Sequence, residues 1–452
     1  MSGKAIFFVV MGFSLLFMIA GQFYNGVSGR MTDNYIDYFE QTTAHNIAIS
    51  GANMAANELF FDADWNAGYN NIDYQNGKLN VTIINSDPKR HQKQIYSVGT
   101  YNNITSEVIV TLSPSKFSRF AYFSVSEGAG DIWWINQDTV WGPFHTQDYL
   151  KASNHPSFMM SATTLKGLKY YKNEKTDRPI IHGKYDQGVD LALPKDGVIQ
   201  VKNAALDKSL DGGGYYLAGA DAGSVKLTNP KGKSQTVLRD EVYMDFQGEY
   251  LYYKYGYKYD TGKKDIKGNI IYATAYFDSV KLYLPDAAPN GVIFVNNGNI
   301  HMKGTISGQY TIGCNGNTES IYGNVYLDDD IVYQNNPKTN PGALDLLGIV
   351  AKNGVKVTEN AANNNDINIH ASIYIENGGF GAENYNTRPV SGKINLLGGI
   401  QQALRGAVGT FSGTTITHGF SKQYRYDDRL MVLYPPFFPG TGGYEIVSWY
   451  EW

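Results

Sequence analysis

Ala5-Ile-Phe-Phe-Val-Val-Met-Gly-Phe-Ser-Leu-Leu-Phe-Met-Ile-Ala-Gly21 contains a single polar side chain, Ser14, and follows directly on Lys4. Coiled as a helix, the run reaches about 25 Å, near the lower limit for crossing a bilayer, and Phe23 and Tyr24 carry it into the interface. Membrane lipid is thus the first partner the chain implies, with Ala5, Phe8, Phe13, Leu16, Ile19 and Phe23 on the lipid-spanning helix. Lys4 and the terminal amine are the positive charges that precede the run, so the positive-inside bias keeps the N-terminus cytoplasmic and exports everything after it. A removed secretory signal is the alternative, with Gly26-Val-Ser28 as a weak small-x-small site. A buried helix of a soluble protein is a third reading.

The composition agrees with export. Among 452 residues there are 49 Gly and 35 Tyr but only 18% charged residues, a mixture suited to a β-rich surface protein with many tight turns. Thirty-eight basic residues against 42 acidic ones give a net charge of −4, which leaves no electrostatic footprint for nucleic acid. Cys314 is the sole cysteine, so no intramolecular disulfide forms. Its apolar-alternating surroundings read as a small buried side chain rather than a nucleophile.

Beyond the membrane run, Tyr35, Ile36, Phe39, Ala44, Ile47, Ala48, Ala52, Ala55 and Leu59 recur at three- and four-residue spacing, so Met31–Phe61 reads as an amphipathic helix with one apolar face. Gly26 and Gly29 separate the two helical stretches and predict a bend or a locally melted turn there, since each glycine costs about 1 kcal/mol relative to alanine. Four alternating segments follow: Ile72–Tyr74, Lys78–Ile84, Gln94–Tyr101 and Ile104–Leu112. Asn76-Gly77, Ser86-Asp87-Pro88 and Asn102-Asn103 supply the turn chemistry between them. The apolar helical stripe is expected to dock on this small antiparallel sheet.

This order of short leader, apolar helix, amphipathic continuation and antiparallel sheet resembles type IV pilins and pseudopilins. Tyr96-Ser-Val-Gly-Thr-Tyr-Asn-Asn-Ile-Thr-Ser-Glu-Val-Ile-Val-Thr-Leu112 resembles the closing hairpin of PilX-like minor pilins, and the likeness covers residues 1–125. It implies a bacterial envelope protein, single-pass in the inner membrane, whose helix packs among other pilin-like subunits in a pilus or pseudopilus. It also implies leader processing between Gly3 and Lys4, although no basic residue precedes Gly3. Phe8 then stands at the fifth mature position, where most pilins carry a glutamate that neutralises a neighbour's terminal amine within the membrane. The departure points toward a minor, initiating or tip subunit, as does the bulk of the remaining chain.

From Phe120 onward short alternating strands break at Asn and Gly, as in Val292–Val295 before Asn296-Asn297-Gly298, Leu346–Ala351 before Asn353-Gly354, and Ile373–Ile375 before Asn377-Gly378-Gly379. Major strand groups recur every 20 to 27 residues or so, the spacing of solenoid coils. A right-handed parallel β-helix is the expected architecture, with a β-sandwich as its competitor. The tyrosine-rich stretch 165–289 reads as a β-rich insertion. The expected division is therefore 1–30 for leader and membrane helix, 31–125 for the pilin-like part and 126–452 for the exported domain. Tyr444–Trp452 is expected to end the chain as an aromatic strand on that domain. Gly298-Asn-Ile-His-Met-Lys-Gly-Thr-Ile306, Tyr326-Leu-Asp-Asp-Asp-Ile-Val-Tyr333, Gly399-Ile-Gln-Gln-Ala-Leu-Arg-Gly-Ala-Val-Gly409 and Tyr424-Arg-Tyr-Asp-Asp-Arg-Leu430 resemble an uncharacterised domain of bacterial envelope proteins spanning Gly298–Pro439. That family brings no established chemistry.

Asp328-Asp329-Asp330 is the densest carboxylate cluster, but neighbouring strand residues face opposite ways and a calcium site needs six or more oxygens. It reads as a solvated or self-capping turn. Glu376, Glu383, Arg405, Arg425, Asp427, Asp428 and Arg429 read as salt bridges stitching one end of a solenoid. The histidines, His145, His301, His370 and His418 among them, never fall at paired metal-ligand spacing. No catalytic residue, metal or cofactor is nominated. The expected function is a structural or adhesive envelope protein, not an enzyme, displaying its β domain toward a surface glycan or protein ligand. The competing readings are an anchored carbohydrate-active enzyme, with Asp329 and Glu383 as its test positions, and a stalked adhesin outside any filament.

Overall fold

A computed structural model describes residues 3–87, 92–128, 132–136, 138–316, 321–412 and 415–452. Two compact units emerge, one of Met1–Asp87, His91–Ser113 and Gly443–Trp452, the other chiefly Pro114–Gly442.

In the first unit a long helix, α1 (Gly3–Phe61), is followed by four antiparallel strands, β1 (Tyr69–Tyr74), β2 (Gly77–Asp87), β3 (Gln92–Tyr101) and β4 (Ile104–Lys116). Only the second part of the anticipated stripe packs: Ala44 is buried, and Ile47, Ala48, Ala52, Ala55 and Leu59 lie buried against Leu79, Val81, Ile95, Val108, Val110 and Leu112, whereas Tyr35, Ile36 and Phe39 stay exposed. Small residues let the helix approach closely. A Cβ on Gly99 would collide with the helix backbone at Ala44 and Ala48, and the Ser97 hydroxyl donates to the Ala48 carbonyl at 2.7 Å. The turns are two-residue loops with both residues left-handed, Gln75-Asn76 and Asn102-Asn103, the geometry that matches strand twist in tight hairpins.

Two expectations need correction here. The melted turn at Gly26 and Gly29 does not form, because α1 runs unbroken from Gly3 to Phe61. Two glycines cost about 2 kcal/mol, too little to interrupt a cooperative ladder that continues on both sides. The C-terminal strand (Gly440–Glu451) is the fifth strand of this first sheet, next to β4, rather than a cap on the larger domain. Glu107 and Trp452 exchange both backbone hydrogen bonds, at 2.9 and 3.1 Å, and the Ser106 hydroxyl donates to the Trp452 carbonyl. Without that strand β4 would present an open row of backbone groups.

The second unit is built from parallel ladders. One column runs Tyr215, Ile293, Ile312, Ile349, Ile373, Ile400, Tyr122, Phe144, Ala162, Tyr185, each residue the register partner of the next. A second runs Val242, Ile300, Val325, Val355, Phe380. A third runs Ile331, Ile369, Leu396, Tyr424, Val140, Phe158, Ile181. Most of these side chains are fully buried and fall in one apolar core. In-register stacking places apolar on apolar, with isoleucine on isoleucine from Ile293 to Ile400 and the aromatic rings of Tyr122 and Phe144 on the rungs beyond.

Chain order and stacking order differ. Residues 122–187 stack on one end of the rungs formed by 292–425, and residues 215–248 stack on the other. The return is a helix, α2 (Gly197–Leu206), whose Val198, Val201, Ala204 and Ala205 pack with Phe294, Val350 and Tyr374. The stretch 165–289 is therefore not an insertion throughout. It supplies rungs at both ends, and its antiparallel parts are the hairpin Ser224–Leu238 and the three-stranded meander Glu241–Tyr283. The unit boundary falls at Ser113, ahead of the expected residue 125, because Tyr122–Ser126 is already a rung.

Candidate functional site: the exposed half of the long helix

The register of α1 changes character along its length. From Ala44 onward one face is covered by the sheet, whereas Gly3–Thr42 is exposed almost throughout. Phe8 is 67% exposed and Phe17 74%, and Phe13, Leu16, Ile19 and Phe23 are equally bare. Lys4 lies in the first turn and Ala5 beside it, both exposed; Gly3 opens the helix. This segment is long and apolar enough to cross a membrane, and none of its apolar window is buried by the protein itself. A soluble chain rarely leaves so much contiguous apolar surface uncovered. Backbone groups in such a segment are satisfied within the helix, the condition for residing in lipid. Met31, Tyr35, Ile36, Tyr38 and Phe39 continue the bare surface past the bilayer-length run, so something besides lipid can cover the middle of the helix.

The charged residues singled out from sequence do not converge. Asp328–Asp330 lie within the strand Asn324–Tyr333 rather than in a turn, as an outward bulge between Leu327 and Ile331. Asp328 pairs with His301, Asp329 accepts the amide of Asp330, and Asp330 accepts the amide and side chain of Asn368 at 2.7 and 2.8 Å. Glu376 pairs with Lys352 and accepts the amide of Val198 at the start of α2. Glu383 accepts the amide of Glu359, Arg405 pairs with Glu127 at 2.8 Å, Arg425 lies over Trp141, and Arg429 clasps Asp427. These pairs are spread over several rungs rather than gathered at one end.

The histidines are likewise separate. His145 is buried, bonded through Nδ1 to Thr163 at 2.7 Å, and burial lowers its pKa to about 4. His370 accepts the Tyr333 amide, also with a pKa lowered to about 4 by burial, and His418 meets Thr410. His301 is different. Its ring is stacked between Tyr243 and Tyr326 on the outside of the second column, with centroids 4.2 and 4.7 Å away. Nδ1 meets Asp328 at 3.0 Å and Nε2 meets Glu241 at 3.3 Å. Burial alone would lower its pKa; hydrogen bonds and charge from the two carboxylates outweigh that and raise it to about 9. A cationic imidazole thus bridges neighbouring rungs. Cys314 is fully buried between its register partners Val295 and Ala351, and burial pushes its thiol up, away from a reactive thiolate. Among the described residues, no group of three or more His, Cys, Asp or Glu is arranged to hold a metal ion.

Sequence reading missed the Glu127 network. Glu127 is completely buried and accepts from Tyr122 and Ser124 at 2.9 and 2.5 Å, from Trp134 Nε1 at 3.2 Å, and from Arg405. Nothing in the local sequence links residues 127 and 405, which meet only because their rungs are adjacent. Arg405 also lies over Trp134, 4.1 Å from the ring centroid.

No family model matches the chain, and no curated protein matches it. Among solved structures it is similar to the competence-associated pilin ComZ from Thermus thermophilus, at 11% identity and a TM-score of 0.36, over 91% of this chain and 97% of that one.

Proposed function

We propose that this chain is a pilin-like structural protein of the bacterial cell envelope, held in the inner membrane by the first half of α1 and displaying its parallel ladders outside as a β-helix. One observation carries the reading: a single unbroken helix is apolar and bare over its first half and docked on an antiparallel sheet over its second. The bare half lies in lipid before assembly and against the helices of other pilin-like subunits afterwards. Uncovered residues beyond the bilayer-length run, Tyr35 to Phe39, support a role for helix partners in addition to lipid. Phe8, without a carboxylate to offer a neighbour, supports a minor or tip position, and processing between Gly3 and Lys4 belongs to the same route. The displayed domain serves adhesion, binding a surface glycan or protein, with no turnover and no nucleic-acid partner.

Mechanical shearing of cells followed by detergent extraction of the remaining membranes tests this. The chain should appear in sheared filaments or in complexes with other pilin-like subunits, with a mature N-terminus at Lys4 by mass measurement. Recovery solely as an unassembled membrane protein would reject assembly and leave a stalked adhesin. Recovery as a free product lacking the first two dozen residues would reject the anchor.

A further inference from the structure

In the second unit, the segment around Trp134, the strand Tyr149–Ala152 and the strand Gly167–Tyr170 stack as successive parallel rungs. Their outer side and residues 406–411, which run into the strand Gly409–Ser412, line a groove of about 900 Å³, within the range of ligand pockets. Trp133 and Tyr171 form one wall, edge to face at 5.2 Å, and Phe411 stands among the lining residues with them. Tyr171 is 55% exposed although it is held against Trp133. The Trp133 indole N–H is buried with no acceptor among the described residues.

The polar lining is chiefly amide and hydroxyl, with Asn154 exposed at the rim. Its charge is unequal. Asp177 spends its carboxylate on the amides of Asn154, Lys172 and Asn173 at 3.0, 2.6 and 2.9 Å and on the Thr176 hydroxyl, and despite the cost of burial these bonds pull its pKa down to about 2. Lys172 is exposed and its ammonium has no acceptor among the described residues. The open charge of the groove is therefore positive.

We infer that this groove binds an acidic saccharide, a pyranose chain bearing carboxylates. Sugar rings present flat C–H faces that bury against Tyr171, Trp133 and Phe411. Vicinal hydroxyls match side-chain amides, and the sugar carboxylate neutralises Lys172. An extended peptide is the competing occupant: Trp134, Ser153 and Tyr171 spend their backbone amides on Lys151, Trp134 and Ala152, whereas among the described residues the strands Gly167–Tyr170 and Gly409–Ser412 each pair on one side. The inference deepens the proposed adhesive role and rests on it only for where such glycans are met.

The test is a titration of the full chain in detergent micelles with tetragalacturonate, with cellotetraose as the neutral counterpart, followed by tryptophan fluorescence and calorimetry. Tetragalacturonate should bind and the neutral chain bind at least about fivefold more weakly, with the preference shrinking as salt rises. Tyr171→Ala should weaken binding about tenfold, equivalent to about 1.4 kcal/mol. Lys172→Ala should remove the acid preference while sparing neutral binding. Trp133→Ala, which removes the ring from the wall, should weaken binding to a similar extent. No binding by either saccharide, or binding that ignores all three variants, overturns the inference, as does preferential capture of extended peptides that the variants abolish. None of these outcomes depends on whether the chain enters sheared filaments, so the two readings fail separately.

Discussion

The two halves of α1 share one secondary structure and have nothing else in common. From Ala44 to Leu59 small and branched residues alternate with polar ones and the sheet covers them; from Ala5 to Tyr24 apolar residues occur on every face and the chain covers none of them. Helical hydrogen bonding is indifferent to the distinction. What differs is who removes the surface from water, the protein's own sheet or matter outside the chain. The parallel ladders repeat the contrast across their thickness: the inner column of isoleucines is covered by its own rungs, whereas Tyr243, His301 and Tyr326 form an outer column held by ring stacking and charge.

The largest effect is expected where self-coverage is complete. Ile373→Ala opens a cavity between Ile349 and Ile400 and should cost about 4 kcal/mol in a urea titration of the intact chain. A loss below about 1 kcal/mol would mean that the rungs repack and the column is not a rigid stack. Gly99→Val, on the sheet under α1, should cost about 3 kcal/mol, because the helix backbone at Ala44 and Ala48 must retreat. Gly26→Val, on the bare half where a Cβ meets nothing, should leave stability unchanged by the same measurement.

Leu16→Arg sharpens the contrast from the other side. It should cost about 3 kcal/mol of membrane insertion, read as the fraction released from membranes by alkaline extraction. Urea stability of the β-rich units should stay as it was, and a parallel loss of both would show the bare half to be part of their fold. The smallest loss belongs to the outer column. His301 has a folded pKa raised to about 9 against 6.5 unfolded, so its contribution is fully present below pH 6.5 and fades as pH rises through 9. That should amount to on the order of 2 kcal/mol after allowance for partial solvent screening. His301→Gln should flatten this part of the pH–stability profile, and an unchanged slope would assign it to other groups.

A good share of this was legible in the residues. The Ala5–Gly21 run, the stripe Ala44–Leu59, the left-handed turns at Asn76 and Asn102 and the alternation around Ile349 and Ile373 are local patterns. Each follows from the period of a helix or strand or from the backbone freedom of Asn and Gly. Asp328–Asp330 was misread as a turn because a three-residue outward bulge inside a strand leaves the same polar signature. The interruption expected at Gly26 and Gly29 failed because propensity is weak beside cooperativity.

Sequence by itself determined that the first helix must find an apolar environment, since no arrangement of the remaining chain changes the side chains between Ala5 and Gly21. It also determined which residues of each strand face inward, because alternation is a property of the extended backbone. Tertiary structure alone decided the order of the rungs, the return of the C-terminal strand beside β4, and the meetings of Glu127 with Arg405 and of Trp133 with Tyr171. Those pairings join residues far apart in the chain, and their energies come from packing and electrostatics that exist only once the intervening loops have closed.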